Sequence, residues 1–442
     1  MLNTINNLLW GPGTLALLLG TGLFLTVRMR FLPWRNLPFA LQSALGKDAR
    51  TAKHGGIPPF SALMTTLAAT MGTGNIVGVA TALVAGGPGA LIWMEISALV
   101  GMATIFAEST LSIHYRRRNR KGTWHGGPMY VMESAFGTRF GRTWGRLFAL
   151  FAVGASLGIG SMTQANAITG ALESTFGLPP KLTGSMTAAF AFLAILGGIR
   201  SISKITSILV PLMSILYMAA GIAVILCNPE HLLPGLVSIF RCAFSAEAIA
   251  GGMAGEALRW GIARGVFSNE AGLGSAGIAA ASADTDDPVR QGYISMTGAF
   301  FDTIVVCTIT GLAICCSGVL GTTDRFGVPI NGAALTILAF ETVFGRFGSG
   351  FIALSIVLFA FSTILGWEYQ GEQAFSYLSS GYGAWFYRIL YVLALLWGAG
   401  QQVDTVYLFS DLCNALMCIP NLVCVLLLHR QVVKEMRSHK NV

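Results

Sequence analysis

The chain has 442 residues, of which 54% are hydrophobic and only 11% are charged. A soluble chain of this length would carry about 25% charged residues, so the composition excludes a soluble globular protein and indicates a polytopic membrane protein. The net charge of +8 does not indicate nucleic-acid binding, because the basic residues lie between the apolar stretches.

Apolar stretches of roughly 20 residues, the length that crosses the hydrocarbon core of a bilayer, recur along the whole chain. Basic residues follow the first stretch and do not precede it, so we expect a retained helix and not a signal peptide. We predict about eleven spans, at residues 8–27, 60–85, 90–114, 146–170, 183–198, 204–227, 250–283 (interrupted), 292–316, 335–365, 386–400 and 404–428.

Basic residues accumulate in alternate connections between these spans. The connection after the third span carries the dense run Arg116–Lys121, and the C-terminal tail carries further basic residues between Arg430 and Lys440. Connections with an excess of Lys and Arg remain on the cytoplasmic side of a membrane. We therefore predict a multi-pass protein of the cell inner (plasma) membrane, with its N-terminus outside and its C-terminus in the cytoplasm.

The stretch Ala68–Val79 interrupts the helical pattern in the middle of the second span. Gly72 and Gly74 are poor helix formers, and Thr73 and Asn75 are polar. In hydrocarbon a helix can break only where its freed N–H and C=O groups line a protein cavity or hold a ligand. The motif therefore predicts half of a solute and ion site at mid-membrane, and a glycine-rich packing seam between close helices is the alternative.

The seventh span contains a second interruption of the same kind. The segment Ser268–Gly274 places polar residues and glycines inside an otherwise apolar stretch, and Gly251-Gly252 is a rival position with fewer polar groups. Paired interruptions that each open a group of five spans are typical of transporters built from inverted repeats. This pairing favours the site interpretation of both breaks. It divides the chain into an extra N-terminal helix with its connection (1–59), a first repeat (60–227), a second repeat (228–428) and a cytoplasmic tail (429–442).

The two ends of a broken helix attract ligands of opposite charge. A helix N-terminus carries about half a positive charge and free N–H groups that suit a carboxylate, whereas a C-terminus offers carbonyl oxygens to a cation. A zwitterionic amino acid and Na⁺ would use both ends of one break. The broken segments offer no nucleophile with a base and an orienting group, so we do not expect an enzyme.

Several motifs in chain order resemble those of the alanine/glycine:cation symporter family, also called sodium:alanine symporters. These motifs are M-G-T-G-N-I-V-G-V-A (71–80), G-G-P-G-A-L-I-W-M-E-I-S-A-L-V-G (86–101), G-M-A-T-I-F-A-E (101–108), G-G-P-M-Y (126–130), F-S-N-E-A-G-L-G-S-A (267–276) and F-S-T-I-L-G-W (361–367). The resemblance implies an all-α, LeuT-like fold of five-plus-five inverted repeats after one extra N-terminal helix. It also implies Na⁺-coupled uptake of alanine or glycine across the lipid bilayer.

The resemblance also assigns roles to residues that match the family motifs. It implies a substrate site at Gly72, Thr73, Gly74, Asn75, Gln164, Phe267, Ser268, Asn269 and Trp367, with Trp367 as the bulky wall that limits side-chain size. It implies a sodium site made of the carbonyls of Ala68 and Met71 and the hydroxyls of Ser362 and Thr363. Oxygen ligands alone suit a hard cation.

Structural alternatives remain open for several of these residues. Gln164 could satisfy a neighbouring helix backbone, Trp367 could be an anchor at the membrane interface, and Ser362 and Thr363 could bond their own helix carbonyls. The carboxylates Glu108 and Asp302 lie inside spans and are candidates either for ion coupling or for structural pairing with Arg259 or Arg264.

Two carboxylates depart from the family pattern. Glu95 stands where the family usually has a second tryptophan, and Glu368 stands where it usually has an uncharged residue. Either could alter coupling, pH dependence or substrate choice, so an H⁺-coupled transporter of small neutral amino acids is the alternative function.

Overall fold

The computed structural model describes residues 6, 9–52, 56–118, 123–137, 139–244 and 252–439. Five details of the sequence predictions lie outside these residues: the start of the first span at residue 8, the end of the basic run at 119–121, the start of the seventh span at residue 250, Gly251 of the rival break, and the last three residues of the tail.

The first half of the described chain is almost entirely helical, apart from a short antiparallel hairpin that pairs Arg117 with His125. Its elements are α1 (Pro12–Arg28), α2 (Leu32–Arg35), α3 (Leu37–Leu45), a 3₁₀ turn (Lys47–Arg50), α4 (Pro59–Thr70), a 3₁₀ turn (Thr73–Asn75), α5 (Val77–Gly86), α6 (Ala90–His114), β1 (Arg117–Arg118), β2 (Trp124–His125), α7 (Pro128–Phe136), α8 (Arg139–Ala155), a π-helical segment (Ser156–Met162), α9 (Thr163–Phe176), α10 (Pro180–Leu196) and α11 (Gly198–Cys227).

The second half repeats the pattern of long helices with one broken pair. Its elements are α12 (Pro229–Phe244), α13 (Met253–Asn269), α14 (Ser275–Ala280), α15 (Pro288–Ala299), a π-helical segment (Phe300–Cys307), α16 (Thr308–Cys316), α17 (Gly332–Phe344), α18 (Arg346–Leu378), α19 (Ala384–Gly398), α20 (Val403–Leu427) and α21 (His429–Ser438).

Six helical segments among the described residues are long and apolar enough to cross a membrane by themselves: Ala90–His114, Arg139–Phe176, Gly198–Cys227, Pro288–Cys316, Arg346–Leu378 and Thr405–Leu427. The broken pairs α4–α5 and α13–α14 and the shorter apolar helices α1, α10 and α19 complete the bundle. The all-α membrane fold predicted from the apolar stretches is confirmed.

One predicted span was wrong. The expected span at 335–365 is two helices, because α17 ends at Phe344 and α18 begins at Arg346 and continues to Leu378. Gly345 lies between them with φ of 54°, a left-handed conformation that ends a helix and that glycine adopts without strain. The turn lies in a short polar stretch that contains Glu341, Arg346 and the glycines Gly345, Gly348 and Gly350, so the sequence did carry a local signal for this boundary.

The connections that the charge pattern put on one side of the membrane meet at one end of the bundle. Ile57, just before α4, forms a parallel bridge with Ala283, just after α14. The Arg116 guanidinium donates to the carbonyls of Ala281 and Ala283, at 3.3 Å and 2.6 Å. At the same end, His439 of the tail lies 3.0 Å from an oxygen of Asp287. That this end faces the cytoplasm stays a prediction.

Candidate functional site

The first break separates α4 from α5 at the predicted motif. The last turn of α4 ends at Thr70, the residues Thr73–Asn75 form one 3₁₀ turn, and α5 begins at Val77. Inside the break, the Asn75 Oδ1 atom accepts the Gly72 N–H at 3.0 Å. The Asn75 side chain therefore replaces the acceptor that a continuous helix would give this amide, as a capping residue does.

The second break separates α13 from α14. Asn269 ends α13, Ser275 begins α14, and Glu270, Gly272 and Gly274 between them all have positive φ. The rival position at Gly252 lies instead at the start of α13. The placement of the break at Ser268–Gly274 is confirmed.

The two breaks contact each other. A Cβ atom added at Gly74 would lie 3.2 Å from the Ser268 Cα atom and 3.5 Å from the Phe267 ring. Real Cβ contacts are seldom as short as 3.2 Å, so the absence of a side chain at Gly74 permits this approach. The predicted substrate residues of the two halves are thus brought to one place.

Asp302 joins the two breaks from the π-helical segment at 300–307. Its carboxylate accepts hydrogen bonds from Asn75 Nδ2, Ser268 Oγ and Thr303 Oγ1, each at 2.8 Å. The side chain is fully buried, and a carboxylate removed from water is stable only when such donors surround it. Asp302 therefore connects the first break, through Asn75, with the second break, through Ser268.

The structural alternative in which Glu108 or Asp302 pairs with Arg259 or Arg264 is not found among the described residues. Arg264 lies 3.7 Å from Asp411 on α20, and Arg259 contacts Glu256 at 4.0 Å. Both arginines are on α13, and each forms an ion pair with another carboxylate. Asp411 is on α20, and Glu256 is on α13 itself.

Glu108 supports the second break through an amide. Its Oε1 atom accepts from Asn421 Nδ2 at 2.6 Å, and the same nitrogen donates to the Gly272 carbonyl at 2.9 Å. A carbonyl freed by the break is thereby satisfied from α20, as a break inside a membrane requires.

Gln164 faces the first break. Its Nε2 atom donates to the Ile159 carbonyl at 2.9 Å, so part of the structural alternative is correct. Its Oε1 atom is buried, has no hydrogen-bond partner in the described part of the chain, and would lie 3.4 Å from a Cβ added at Gly72. Gln164 follows the π-helical segment Ser156–Met162, and π-helical turns are frequent at functional sites. An unused acceptor is thus aimed at Gly72.

Trp367 is part of the interior and not a membrane-interface anchor. Because α18 extends to Leu378, Trp367 lies well inside the helix and is fully buried. It is one helical turn beyond Thr363, and its Nε1 atom donates to Glu270 Oε1 at 2.7 Å. The interface alternative arose because the predicted span ended at residue 365, whereas the helix continues to Leu378.

Three oxygen atoms of the predicted sodium site converge. The Met71 carbonyl oxygen lies 3.5 Å from Ser362 Oγ and 3.4 Å from Thr363 Oγ1. Both hydroxyls also donate to the Phe359 carbonyl, at 2.8 Å and 3.1 Å, as the structural alternative stated. Ala68 belongs to the last turn of α4, where helix carbonyls lack intrahelical partners, and the Gly72 N–H that would reach it is donated to Asn75 instead.

The other predicted substrate residues lie at the same breaks. Thr73 is buried beside Tyr407, and the Phe267 ring stacks on Tyr407 with the ring centroids 6.0 Å apart. The Asn269 side chain stabilises the second break, because its Oδ1 atom accepts the Ala271 N–H at 3.0 Å. Its Nδ2 atom donates to Thr303 Oγ1 on the π-helical segment, at 3.3 Å.

The two unusual carboxylates have different surroundings. Glu368 lies 3.8 Å from Arg388, which forms a closer 2.6 Å ion pair with Glu372. Both carboxylate oxygens of Glu95 are buried, near Thr308 and Asp302. The charge of Arg388 on α19 therefore compensates the buried carboxylate of Glu368. Nothing in the structure explains the carboxylate at Glu95.

The contacts of two acidic residues at this site, Asp302 and Glu270, were not predicted from the sequence. Asp302 was recognised as a carboxylate inside a span, but its bonds to both breaks were not. The bond from Trp367 to Glu270 was also missed, although the position of Glu270 inside the second broken motif was a usable signal.

Comparison with known sequences covers the whole chain. Residues 1–442 match the sodium:alanine symporter family. The chain is 46% identical over 446 residues to the sodium/alanine symporter AgcS of Methanococcus maripaludis, covering 100% of this chain and 97% of the relative. It is 36% identical to the probable sodium/glutamine symporter GlnT of Bacillus subtilis, covering 98% of this chain and 89% of that protein.

The fold is also similar to a solved structure. The crystal structure of MhsT in complex with L-phenylalanine superposes with a TM-score of 0.63, covering 86% of this chain and 92% of that chain. At 14% sequence identity this similarity concerns the fold alone, and it supports the LeuT-like arrangement.

Replacing Asp302 tests the connection between the breaks. We expect Asp302→Ala to destabilise the protein, because Asn75 and Ser268 lose a buried acceptor and each group left unpaired costs about 1–3 kcal/mol. The midpoint of thermal unfolding in detergent should fall for Asp302→Ala. It should fall much less for the control Asp302→Asn, which keeps an acceptor oxygen of the same reach. Equal midpoints for both variants and the wild type would show that the connection is not structural.

Proposed function

We propose that this chain, which belongs to the sodium:alanine symporter family, is a secondary transporter that takes up alanine or glycine together with Na⁺ by alternating access. The family match and the 46% identical sodium/alanine symporter support the coupling ion and alanine as a substrate. Glycine is proposed from the small size of both amino acids and from the motif resemblance.

The observation that carries the sodium assignment is the arrangement of oxygens between α4 and α18. Each hydroxyl has one proton, and the shorter bonds of Ser362 and Thr363 direct those protons to the Phe359 carbonyl. Each hydroxyl is also within donating distance of the Met71 carbonyl oxygen, at 3.4–3.5 Å, and we propose that a bound cation replaces this longer contact while the protons stay on the Phe359 carbonyl. Such a group of partial negative charges favours a small hard cation over a neutral solute.

The amino acid is proposed to bind on the other side of the same break. Its carboxylate would dock on the amides at the start of the Thr73–Asn75 turn, where helical N–H groups lack intrahelical acceptors. Its ammonium group would meet the unused Gln164 Oε1 atom, and Trp367 would limit its side chain. Phe267, Ser268 and Asn269 would complete the pocket from the second break.

The ion and the substrate share one short segment, and this explains their coupling. Met71 is adjacent to Gly72, so a cation that draws the Met71 carbonyl toward α18 would also fix Gly72 and, through its bond to Asn75, the Thr73–Asn75 turn on which the carboxylate would dock. Substrate binding is then favoured only after the ion is present. The membrane potential contributes about 2.3 kcal/mol per charge per 100 mV to inward movement of the cation.

Alternating access follows from the proposed division of the chain. The repeats at 60–227 and 228–428 each begin with one broken helix, and rocking of one group of helices against the other would expose the breaks to each side in turn. The orientation proposed from the charge pattern, in the inner membrane with the N-terminus outside and the C-terminus in the cytoplasm, makes the inward direction uptake.

The buried carboxylate at Glu95 favours a second candidate, an H⁺-coupled transporter of small neutral amino acids. Both of its oxygens are buried near Asp302, and in this alternative the carboxyl would carry the coupled proton. The experiment on function must therefore separate Na⁺ from H⁺.

Uptake by the purified protein in proteoliposomes tests the function. With separately imposed gradients, labelled alanine should accumulate with an inward Na⁺ gradient, because the cation is co-transported, and should accumulate little with a pH gradient alone. Protein-free liposomes are the control. Accumulation driven equally by a pH gradient without Na⁺ would establish the H⁺-coupled alternative, and no accumulation of any small amino acid would contradict transport.

A change at Thr363 tests the ion site. Thr363→Val keeps the shape of the side chain and removes its oxygen, so we expect the Na⁺ concentration for half-maximal uptake to rise at least about tenfold. Bonds to charged groups are worth about 1.5–3 kcal/mol, which corresponds to this factor or more. The control Thr363→Ser retains the hydroxyl and should stay near the wild type. An unchanged Na⁺ dependence in Thr363→Val would place the ion elsewhere.

A further inference from the structure

Glu270 has an unusual backbone conformation for its residue type. Four described non-glycine residues have positive φ, and Glu270, at 57°, is the buried one among them. This left-handed conformation is unfavourable for a residue with a Cβ, and it persists only where the surroundings over-determine it. Because glycine would fit the turn with less strain, the side chain of Glu270 must supply the compensating contacts.

Both carboxylate oxygens of Glu270 are engaged. Oε1 accepts the indole N–H of Trp367 at 2.7 Å, and Oε2 accepts the Ser275 hydroxyl at 2.5 Å. The first contact joins the second break to α18, and the second joins the break to the first residue of α14. The Glu270 side chain therefore has a fixed position and a fixed orientation.

The Trp367 side chain is restrained on two sides. A Cβ added at Gly160 would overlap the Trp367 Cβ atom, so the π-helical segment packs directly against the base of the indole. Glu270 holds the far end of the same side chain through Nε1. An indole that is fixed at its base and at its N–H cannot rotate freely. Thr363, which lies beside Gly72, is one helical turn before Trp367 on the same helix.

We infer that Glu270 is a positioning residue that sets the size limit of the amino-acid pocket by holding the Trp367 indole in place. This inference rests on the proposed function, which puts Trp367 at the wall of the pocket. The Trp367 indole can exclude a substrate with a larger side chain only if the indole cannot move aside. With its N–H bond intact, the indole would clash with a branched side chain, whereas a released indole would rotate and admit it.

The test is the ratio of kcat/KM for valine to that for alanine, measured as initial Na⁺-driven uptake in proteoliposomes. Glu270→Ala should raise this ratio about tenfold, the lower end of what a pocket wall contributes per methylene group. Glu270→Gln should stay near the wild type, because its amide oxygen can still accept the indole N–H. Glu133→Gln is the control: it removes a carboxylate on α7 that pairs with Arg117 and Arg142 outside both breaks, and it should leave the ratio unchanged.

A double-mutant cycle separates positioning from general loosening. If Glu270 acts through the indole, Glu270→Ala should have no further effect on the ratio in a Trp367→Phe background, which lacks the N–H. Additive effects would overturn the inference, and so would an unchanged ratio in Glu270→Ala.

One further variant and one further readout keep the outcomes distinct. If Glu270→Ala does not yield folded protein, Glu270→Asp, which is too short by one methylene group to reach the indole, should raise the ratio in the same direction. Absence of alanine uptake by the wild type would contradict the proposed function. In that case the ratio of valine to alanine affinities, from ligand-induced thermal stabilisation of the same variants, still decides the role of Glu270.

Discussion

A helix that breaks in hydrocarbon must find a partner for every backbone group it frees, and this requirement governs the centre of the protein. The first break is satisfied by Asn75, which takes the Gly72 N–H onto its own side chain. The second is satisfied by Asn421, which donates to the Gly272 carbonyl while Glu108 holds its amide. The first break is therefore closed by a side chain of its own turn, and the second by a side chain from α20.

The same contacts make the two breaks one unit. Asp302 accepts from Asn75 and from Ser268, so a displacement of either break is felt by the other. Among the described groups outside this network are the Met71 carbonyl with two hydroxyls on one side, and the Gln164 amide oxygen on the other. These acceptor oxygens suit the proposed cation and the ammonium group of the proposed amino acid, and the family membership agrees with this proposal.

The sequence indicated the features that depend on neighbours along the chain. Glycines and polar residues within apolar stretches located both breaks, because a local departure from helix propensity is visible in a short window. The turn at Gly345 was missed although Glu341, Arg346 and nearby glycines mark it, because the apolar residues on its two sides were joined into one span. The bonds from Trp367 to Glu270 and from Asn75 to Asp302 join residues 97 and 227 positions apart, and no local pattern specifies which distant side chains will meet.

In the proposed function, Na⁺ and the amino acid bind to opposite sides of the first break and stabilise each other there. Isothermal titration of the detergent-solubilised protein with alanine, over a series of Na⁺ concentrations at constant ionic strength, measures this coupling. The alanine Kd should fall as Na⁺ rises, and alanine should increase the affinity for Na⁺ by the same factor, as linkage requires. An alanine Kd that does not change when Na⁺ is replaced by choline would show that the two ligands are not coupled.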